Sequence, residues 1–208
     1  MAQRGFPWGR LVFFVTSNLH KFDEARKTLS ECGIAMAMLR MKAPEIQDDN
    51  SEIIAMSCAL DAAKRSHLPV IVEDAGLYID ALNGFPGPYS EHAFRTIGKE
   101  GILKLLEKRQ DRRAFFRSVV AFCGPQRDLR CFQGVVEGRI TTEIKGSLGF
   151  GFDPIFAPSE TTGKTFGEMT ASEKGRISHR ARALREFAEW YKQGPFSSRS
   201  VRRPVPRT

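Results

Sequence analysis

Between Leu11 and Gly76, three short apolar runs alternate with two stretches of helical period, and this alternation narrows the fold more than any other feature of the chain. Leu11-Val12-Phe13-Phe14-Val15 is continuous, apolar and of strand length, the pattern of a strand covered on both faces. A helical stretch follows as far as Cys32, with Phe22, Ala25, Leu29 and Cys32 on one face and Gly33 placed to end it. Ile34 to Met41 reads as a second strand. Ser51 to His67 reads as a second helix, N-capped by Asn50, with Ile53, Met56, Leu60 and Ala63 as its apolar stripe. Pro69 to Val72 reads as a third strand that closes on Glu73-Asp74-Ala75-Gly76. Strand, helix, strand, helix, strand is the pattern of an α/β fold.

The second half changes character. Asn83 to Ser90 is rich in Gly and Pro and reads as a loop, followed by a short helix around Gly101 to Arg109. Ala114 to Cys123 and Leu129 to Ile140 read as two antiparallel strands joined by a turn at Gly124-Pro125-Gln126-Arg127, the material of a second lobe. Gly146 to Asp153 is glycine-rich. One last helix starts at the capping box Thr170-x-x-Glu173, with Ile177, Ala181, Leu184, Ala188 and Tyr191 as its buried stripe. There is no internal repeat. Residues 1–193 are therefore read as a single two-lobed domain of mixed α/β structure.

Residues 194–208 hold Arg199, Arg202, Arg203 and Arg207 and no acid, so they supply half of the formal net charge of +8. Their Ser, Pro and Arg content predicts a disordered tail, either solvated or in weak electrostatic contact with RNA or membrane phosphate. No apolar run approaches the ~20 residues that span a bilayer, and Met1 to Arg10 lacks the features of a signal peptide. Both point to the cytoplasm. Cys32, Cys58, Cys123 and Cys131 form no C-x-x-C pair and read as reduced thiols, although Cys123 and Cys131 could face each other across the hairpin.

Four segments could carry chemistry. Thr16-Ser17-Asn18-Leu19-His20-Lys21 lies where a buried strand meets a helix, and free N–H groups there favour an anion. It reads as a phosphate cradle or as a plain N-cap followed by a solvated lysine. Glu73-Asp74 ends a strand, where ligands of open α/β sheets gather, and adjacent carboxylates suit Mg²⁺. Strand alternation sends the two side chains opposite ways, so one of them meets the metal, and Glu45 is a candidate second ligand. Gly149-Phe150-Gly151-Phe152-Asp153-Pro154 sets two aromatic rings between glycines, fit either to stack on a base or to pack in the core. Lys174, Ser178, His179 and Arg180 lie close together on the final helix, as donors to a purine carbonyl and phosphate or as a solvated face.

Taken in order, these segments resemble the inosine triphosphate pyrophosphatase family, also called Ham1-like, and several resemble its archaeal members most. The matching pieces are Thr16-Ser17-Asn18-x-x-Lys21, Pro44-Glu45-Ile46-Gln47, Glu73-Asp74-x-Gly76-Leu77, Gly84-Phe85-Pro86-Gly87-x-Tyr89-Ser90, Gly149-Phe150-Gly151-Phe152-Asp153-Pro154-Ile155-Phe156, and Phe166-x-Glu168-Met169-Thr170 through Ile177-Ser178-His179-Arg180. The resemblance implies a two-lobed α/β fold with a central nucleotide cleft, a homodimer and Mg²⁺. It implies hydrolysis of non-canonical purine nucleoside triphosphates (inosine, deoxyinosine and xanthosine triphosphate; ITP, dITP, XTP) to a monophosphate and pyrophosphate. It gives Glu45 and Asp74 to the metal and makes Asp74 the proton acceptor that helps activate water. It gives Thr16 to Lys21 and Lys174 to the phosphates, Phe150 to the base face, and Asp153, His179 and Arg180 to the base edge, with Gly151 and Phe152 in the same loop.

Three positions depart from the family pattern. Ala75 stands where the family has serine, and Phe152 where it usually has tyrosine. Leu60 follows Ala59 where the family carries an Ala-Lys pair on the second helix; under a shifted alignment the position is Cys58, and Lys64, one turn beyond Leu60, could substitute. These departures leave a second reading open, a nucleotide-binding homologue of the same fold that turns over slowly. A third, a nucleic-acid-binding module, rests on the charge alone.

Overall fold

The computed structural model describes residues 11–41 and 46–193. Glu45 and the tail at 194–208 lie outside these described residues. The chain builds one mixed seven-stranded sheet. Strand β1 (Leu11–Val15) pairs in parallel with β2 (Ala35–Leu39) on one side and with β3 (Val70–Ile79) on the other. Helices α1 (Leu19–Glu31) and α2 (Ser51–Ser66) make the two crossovers. This is the alternating half read from the sequence. The rest of the sheet is antiparallel: β3 pairs with β5 (Arg113–Cys123), β5 with β6 (Leu129–Ile140), and β6 with β7 (Phe156–Pro158).

Two lobes share these long strands. In the first, α1 and the C-terminal helix α6 (His179–Gln193) cover one face of the sheet, where Phe14, Leu29, Ile71, Phe122, Leu184 and Phe187 interlock. The opposite face carries Val70, Val72, Val119 and Ala121 and is closed by α2. In the second lobe, the far ends of β3, β5 and β6, with β7, bury Leu77, Ile79, Phe116, Val136 and Phe156 in one cluster with residues of α3 (Ser90–Thr96) and α4 (Gly98–Leu105). Arg112 ties that lobe's edge together, its guanidinium donating to the carbonyls of Leu106, Ile140 and Thr141 at 2.5 to 3.1 Å.

Several expectations are corrected. Strand β3 does not stop at Val72 but runs to Ile79, so Glu73 and Asp74 lie in mid-strand. The Gly/Pro stretch is not all loop: Pro86–Gly87 forms β4 against Leu77 and Tyr78 of β3. The short helix begins earlier than Gly101 and is two helices, α3 and α4. Helix α2 is capped by Asn50 as expected, yet Ile53 and Leu60 are 45% and 40% exposed, and the buried face is Ala55, Cys58, Ala59, Ala62 and Ala63. Small side chains let α2 lie close on a sheet already filled with valine, and tertiary packing decides the face over hydrophobicity. Cys123 pairs in register with Leu129 and Cys131 with Ala121, so the two thiols are not opposite, and all four cysteines are free.

Candidate active site

A cleft of about 760 Å³ opens between the lobes where β1 ends. Strand β1 contacts β3 only at Val70 and Ile71, and β4 joins β3 only from Leu77, so Glu73 to Gly76 have no strand neighbour on that side. Sheet topology thus leaves the edge of this acidic stretch unpaired at the cleft, although the Glu73 side chain itself is buried. Beside it, Asn18 Oδ1 accepts from Lys21 N at 3.2 Å and caps α1, while Thr16 Oγ1 accepts from Asn18 N at 3.1 Å. The turn therefore aims Lys21 at Glu73, whose carboxylate stands 3.0 Å from Nζ.

The basic segment read as a single helix face is broken. Helix α5 (Ala171–Ile177) starts at the Thr170–Glu173 capping box, but Ser178 adopts extended backbone (φ −65°, ψ 152°) and its Oγ accepts from Ala181 N at 3.2 Å to start α6. A hydroxyl that can take a helix-start N–H favours such a break. The kink turns His179 and Arg180 inward, and Lys174, His179 and Arg180 are all at most 4% exposed. The solvated-face reading is excluded.

These side chains close a buried polar network. Lys174 Nζ lies 2.6 Å from Asp153 Oδ2 and 2.7 Å from Glu24 Oε1. Arg180 joins Glu24 at 2.5 Å and Glu73 at 3.1 Å, and Ser118 Oγ donates to Glu73 at 2.7 Å. Asp153 also accepts from Phe150 N at 2.8 Å. That bond needs Gly149, which sits at φ 72° and whose absent Cβ would fall 2.1 Å from Asp153 Oδ2. Phe150 is stacked with His20 (centroids 5.3 Å, 14°), with Lys174 Nζ 4.8 Å and the Arg180 guanidinium 5.4 Å from its ring centre.

The network fixes protonation. Burial pushes the Glu73 and Glu24 carboxyls up, but the cations beside them (Arg180 and Lys21 for Glu73, Arg180 and Lys174 for Glu24) outweigh it and hold both below the usual carboxylate range. For Asp153 burial prevails over Lys174 and the pKa is raised. Burial, reinforced by Arg180 and Lys174, drives His179 well below 6.5, so its ring is neutral at physiological pH. That ring stacks on Phe116 at 4.6 Å. His179 Nδ1 and Arg180 Nε are buried without a hydrogen-bond partner among the described residues.

The cleft is lined by Phe150, Gly151, Phe152, Asp153, Lys174, His179 and Arg180 together with Asn18, Lys21, Asp74 and Ala75. Thr16 and Ser17 shape the turn but do not line it. Glu45 lies outside the described residues. Phe152 is buried and meets Phe94 edge-on at 5.4 Å. Cys58, not Leu60, borders the cleft, whereas Leu60 and Lys64 lie on the exposed side of α2. Among the described residues no group of three or more His, Cys, Asp or Glu is arranged to hold a metal. Asp74, half-buried on the cleft wall, suits the way Mg²⁺ is held, by one or two carboxylates together with substrate phosphates and water.

Glu24 and Ser118 were not foreseen. Glu24 is one helical turn beyond Lys21, so the shared face was open to a periodicity argument; Ser118 reaches Glu73 only through the β3–β5 register. No helix among the described residues is long and apolar enough to cross a membrane.

Comparison with known proteins places the chain. The model of the Ham1 family matches residues 12–190. The chain is 50% identical over 181 residues to a dITP/XTP pyrophosphatase of Methanopyrus kandleri, covering 87% of this chain and 96% of that protein. It is 50% identical over 180 residues to the dITP/XTP pyrophosphatase of Thermococcus kodakarensis, covering 86% and 96%. The structure of a HAM1 protein from Coxiella burnetii superposes with a TM-score of 0.76 at 30% identity, covering 88% of this chain and 99% of that one. The Ham1 protein of Staphylococcus aureus does so at 0.73 and 29%, covering 86% and 96%. With the family model matched over residues 12–190 and nearly the whole length of these relatives covered, the chain belongs to the Ham1 family.

Proposed function

We propose that the cleft binds purine nucleoside triphosphates bearing a 6-keto base, dITP, XTP and ITP among them, and hydrolyses them to a monophosphate and pyrophosphate. The observation that carries this reading is the pair of buried, unpartnered nitrogens, His179 Nδ1 and Arg180 Nε. Buried polar atoms without partners are rare and call for a ligand. Arginine Nε can only donate, so it requires an acceptor. A 6-keto purine offers one where adenine offers an amino group, and a site of fixed buried donors rejects the ligand that leaves them unpaired. Phe150 supplies the stacking face, and the base takes the place beside it that His20 now holds.

At the phosphate end, Lys21 keeps donor capacity beyond its contacts with Glu73. Asp74, together with Glu45, would hold Mg²⁺ and accept a proton from the attacking water. The bound metal would supply Lewis-acid stabilisation of phosphate charge. A homodimer belongs to the same proposal and rests on the resemblance; light scattering on the purified chain tests it.

The decisive experiment is a nucleotide panel with Mg²⁺, scoring pyrophosphate against phosphate release. Pyrophosphate from ITP, dITP and XTP with little from ATP is the expected result. Release from none of them sinks the proposal. Cys58 and Ala75 on the cleft wall favour a second reading, a binder with slow turnover, which predicts calorimetric ITP binding without hydrolysis.

A further inference from the structure

Among the described residues, four Lys or Arg side chains line the cleft: Lys21, Arg95, Lys174 and Arg180. Three of them are already engaged by carboxylates. Lys21 faces Glu73, Lys174 faces Glu24 and Asp153, and Arg180 faces Glu24 and Glu73. These three cations therefore meet three acids, and the network brings little surplus positive charge to a polyanionic ligand. Ala75 and Cys58 add no charge where the cleft meets β3 and α2. Arg95 differs. Among the described residues its ion pair is with Glu91 at 4.0 Å, between side chains that are 69% and 83% exposed, a contact of little energy that a ligand can replace.

The backbone under Arg95 is well anchored. Ser90 Oγ accepts from Leu77 N at 2.8 Å and donates to Gly87 O at 2.7 Å, fastening the start of α3 to β3 and β4. Phe94, next to Arg95, packs edge-on against Phe152 of the base loop. The helix is thus fixed at both the sheet and the base loop, while the guanidinium on the second lobe stays free to move.

We propose that Arg95 is the cation that meets the outer phosphates of the bound triphosphate, reaching from the lobe opposite Lys21. The assignment rests on reading the cleft as a triphosphate site. A guanidinium in forked contact with phosphate oxygens replaces the contact with Glu91.

The test compares the full-length parent, Arg95→Ala and Arg95→Lys by pyrophosphate release from ITP and XTP with Mg²⁺, and by competitive inhibition with inosine monophosphate. Arg95→Ala should raise KM for the triphosphates about 10-fold, the loss of one exposed charge-assisted contact. Inhibition by the monophosphate, which lacks the outer phosphates, should stay within about 2-fold, and Arg95→Lys, which keeps the charge but not the fork, should recover only part of the loss. An unchanged KM, or parallel weakening of monophosphate binding, overturns the assignment. A parent that releases no pyrophosphate refutes the hydrolytic reading instead. Calorimetric ITP titration of parent and Arg95→Ala then decides the role of Arg95, with equal affinities counting against it.

Discussion

Replacing Glu24 by Gln tests whether the buried network holds the base end of the cleft together. Glu24 bridges Lys174 and Arg180 through its two carboxylate oxygens, at 2.7 and 2.5 Å. Glutamine keeps the shape but turns one oxygen into an NH₂ donor, which must then face an ammonium or a guanidinium. The Lys174 and Arg180 side chains taken alone are 5% and 3% exposed, so water cannot take over the lost contact. Removing one partner of a buried ion pair costs about 3–5 kcal/mol. Glu24 itself is 24% exposed, which places the cost near the lower end, about 3 kcal/mol. In a chain of this size each kcal/mol lowers Tm by about 2–4 °C, so a fall of about 6–12 °C is expected. Thermal unfolding followed by circular dichroism at neutral pH gives that number. A double-mutant cycle with Lys174→Met isolates the pair, since the second substitution should cost less once the first is present. A fall of less than about 2 °C would refute the claim that Glu24 holds these two cations.

Four further outcomes follow from the same geometry. Gly134 lets α6 meet β6: a Cβ there would lie 2.1 Å from the His179 carbonyl and 2.6 Å from Ala183 N. Gly134→Ala should therefore cost about 1–3 kcal/mol by urea unfolding and weaken ITP binding, because the α6 backbone that carries His179 and Arg180 must shift. Stability should fall with acid: Glu24 and Glu73 are depressed, so their contribution is present above the ordinary glutamate value of 4.5 and is lost as pH drops through their lower folded values. Asp153 has the opposite sign, being raised above 3.8, and softens that loss; urea midpoints between neutral pH and pH 3 check the balance. Cys58→Lys, alone or with Ala75→Ser, should raise kcat/KM for ITP by placing an ammonium on the cleft wall, whereas Leu60→Lys, away from the cleft, should leave it unchanged. Phe150→Leu should weaken base binding by about 1–3 kcal/mol, read as a higher KM for ITP with Tm nearly unmoved.

The sequence alone was enough for the alternating half of the sheet, because strand and helix periods are local. Leu11–Val15, the capped starts of α1 and α2, and the β5–β6 hairpin appear close to where periodicity and turn residues place them. Local capping chemistry also located the start of α5. The buried face of α2 could not be read this way: Ile53 and Leu60 are the more hydrophobic residues, yet the sheet beneath accepts only the alanines and Cys58. The break at Ser178 was equally hidden, since Ile177 to Tyr191 keeps helical period across a kink made by one hydroxyl.

For the site, residue types offered Lys21, Asp74, Phe150, Asp153, Lys174, His179 and Arg180 only as separate candidates, and the family resemblance joined them into one constellation. Tertiary structure decided what each can do. Sheet topology leaves the edge of Glu73 to Gly76 unpaired in mid-strand, because β1 stops short and β4 starts late. Glu24 and Ser118 entered only when α1, β3, β5 and α6 converged, since their partners lie 45 to 156 residues away in sequence. Chain-local patterns report on single elements. Burial, protonation and which cations remain unengaged depend on contacts between elements, and these exist only after the chain has folded.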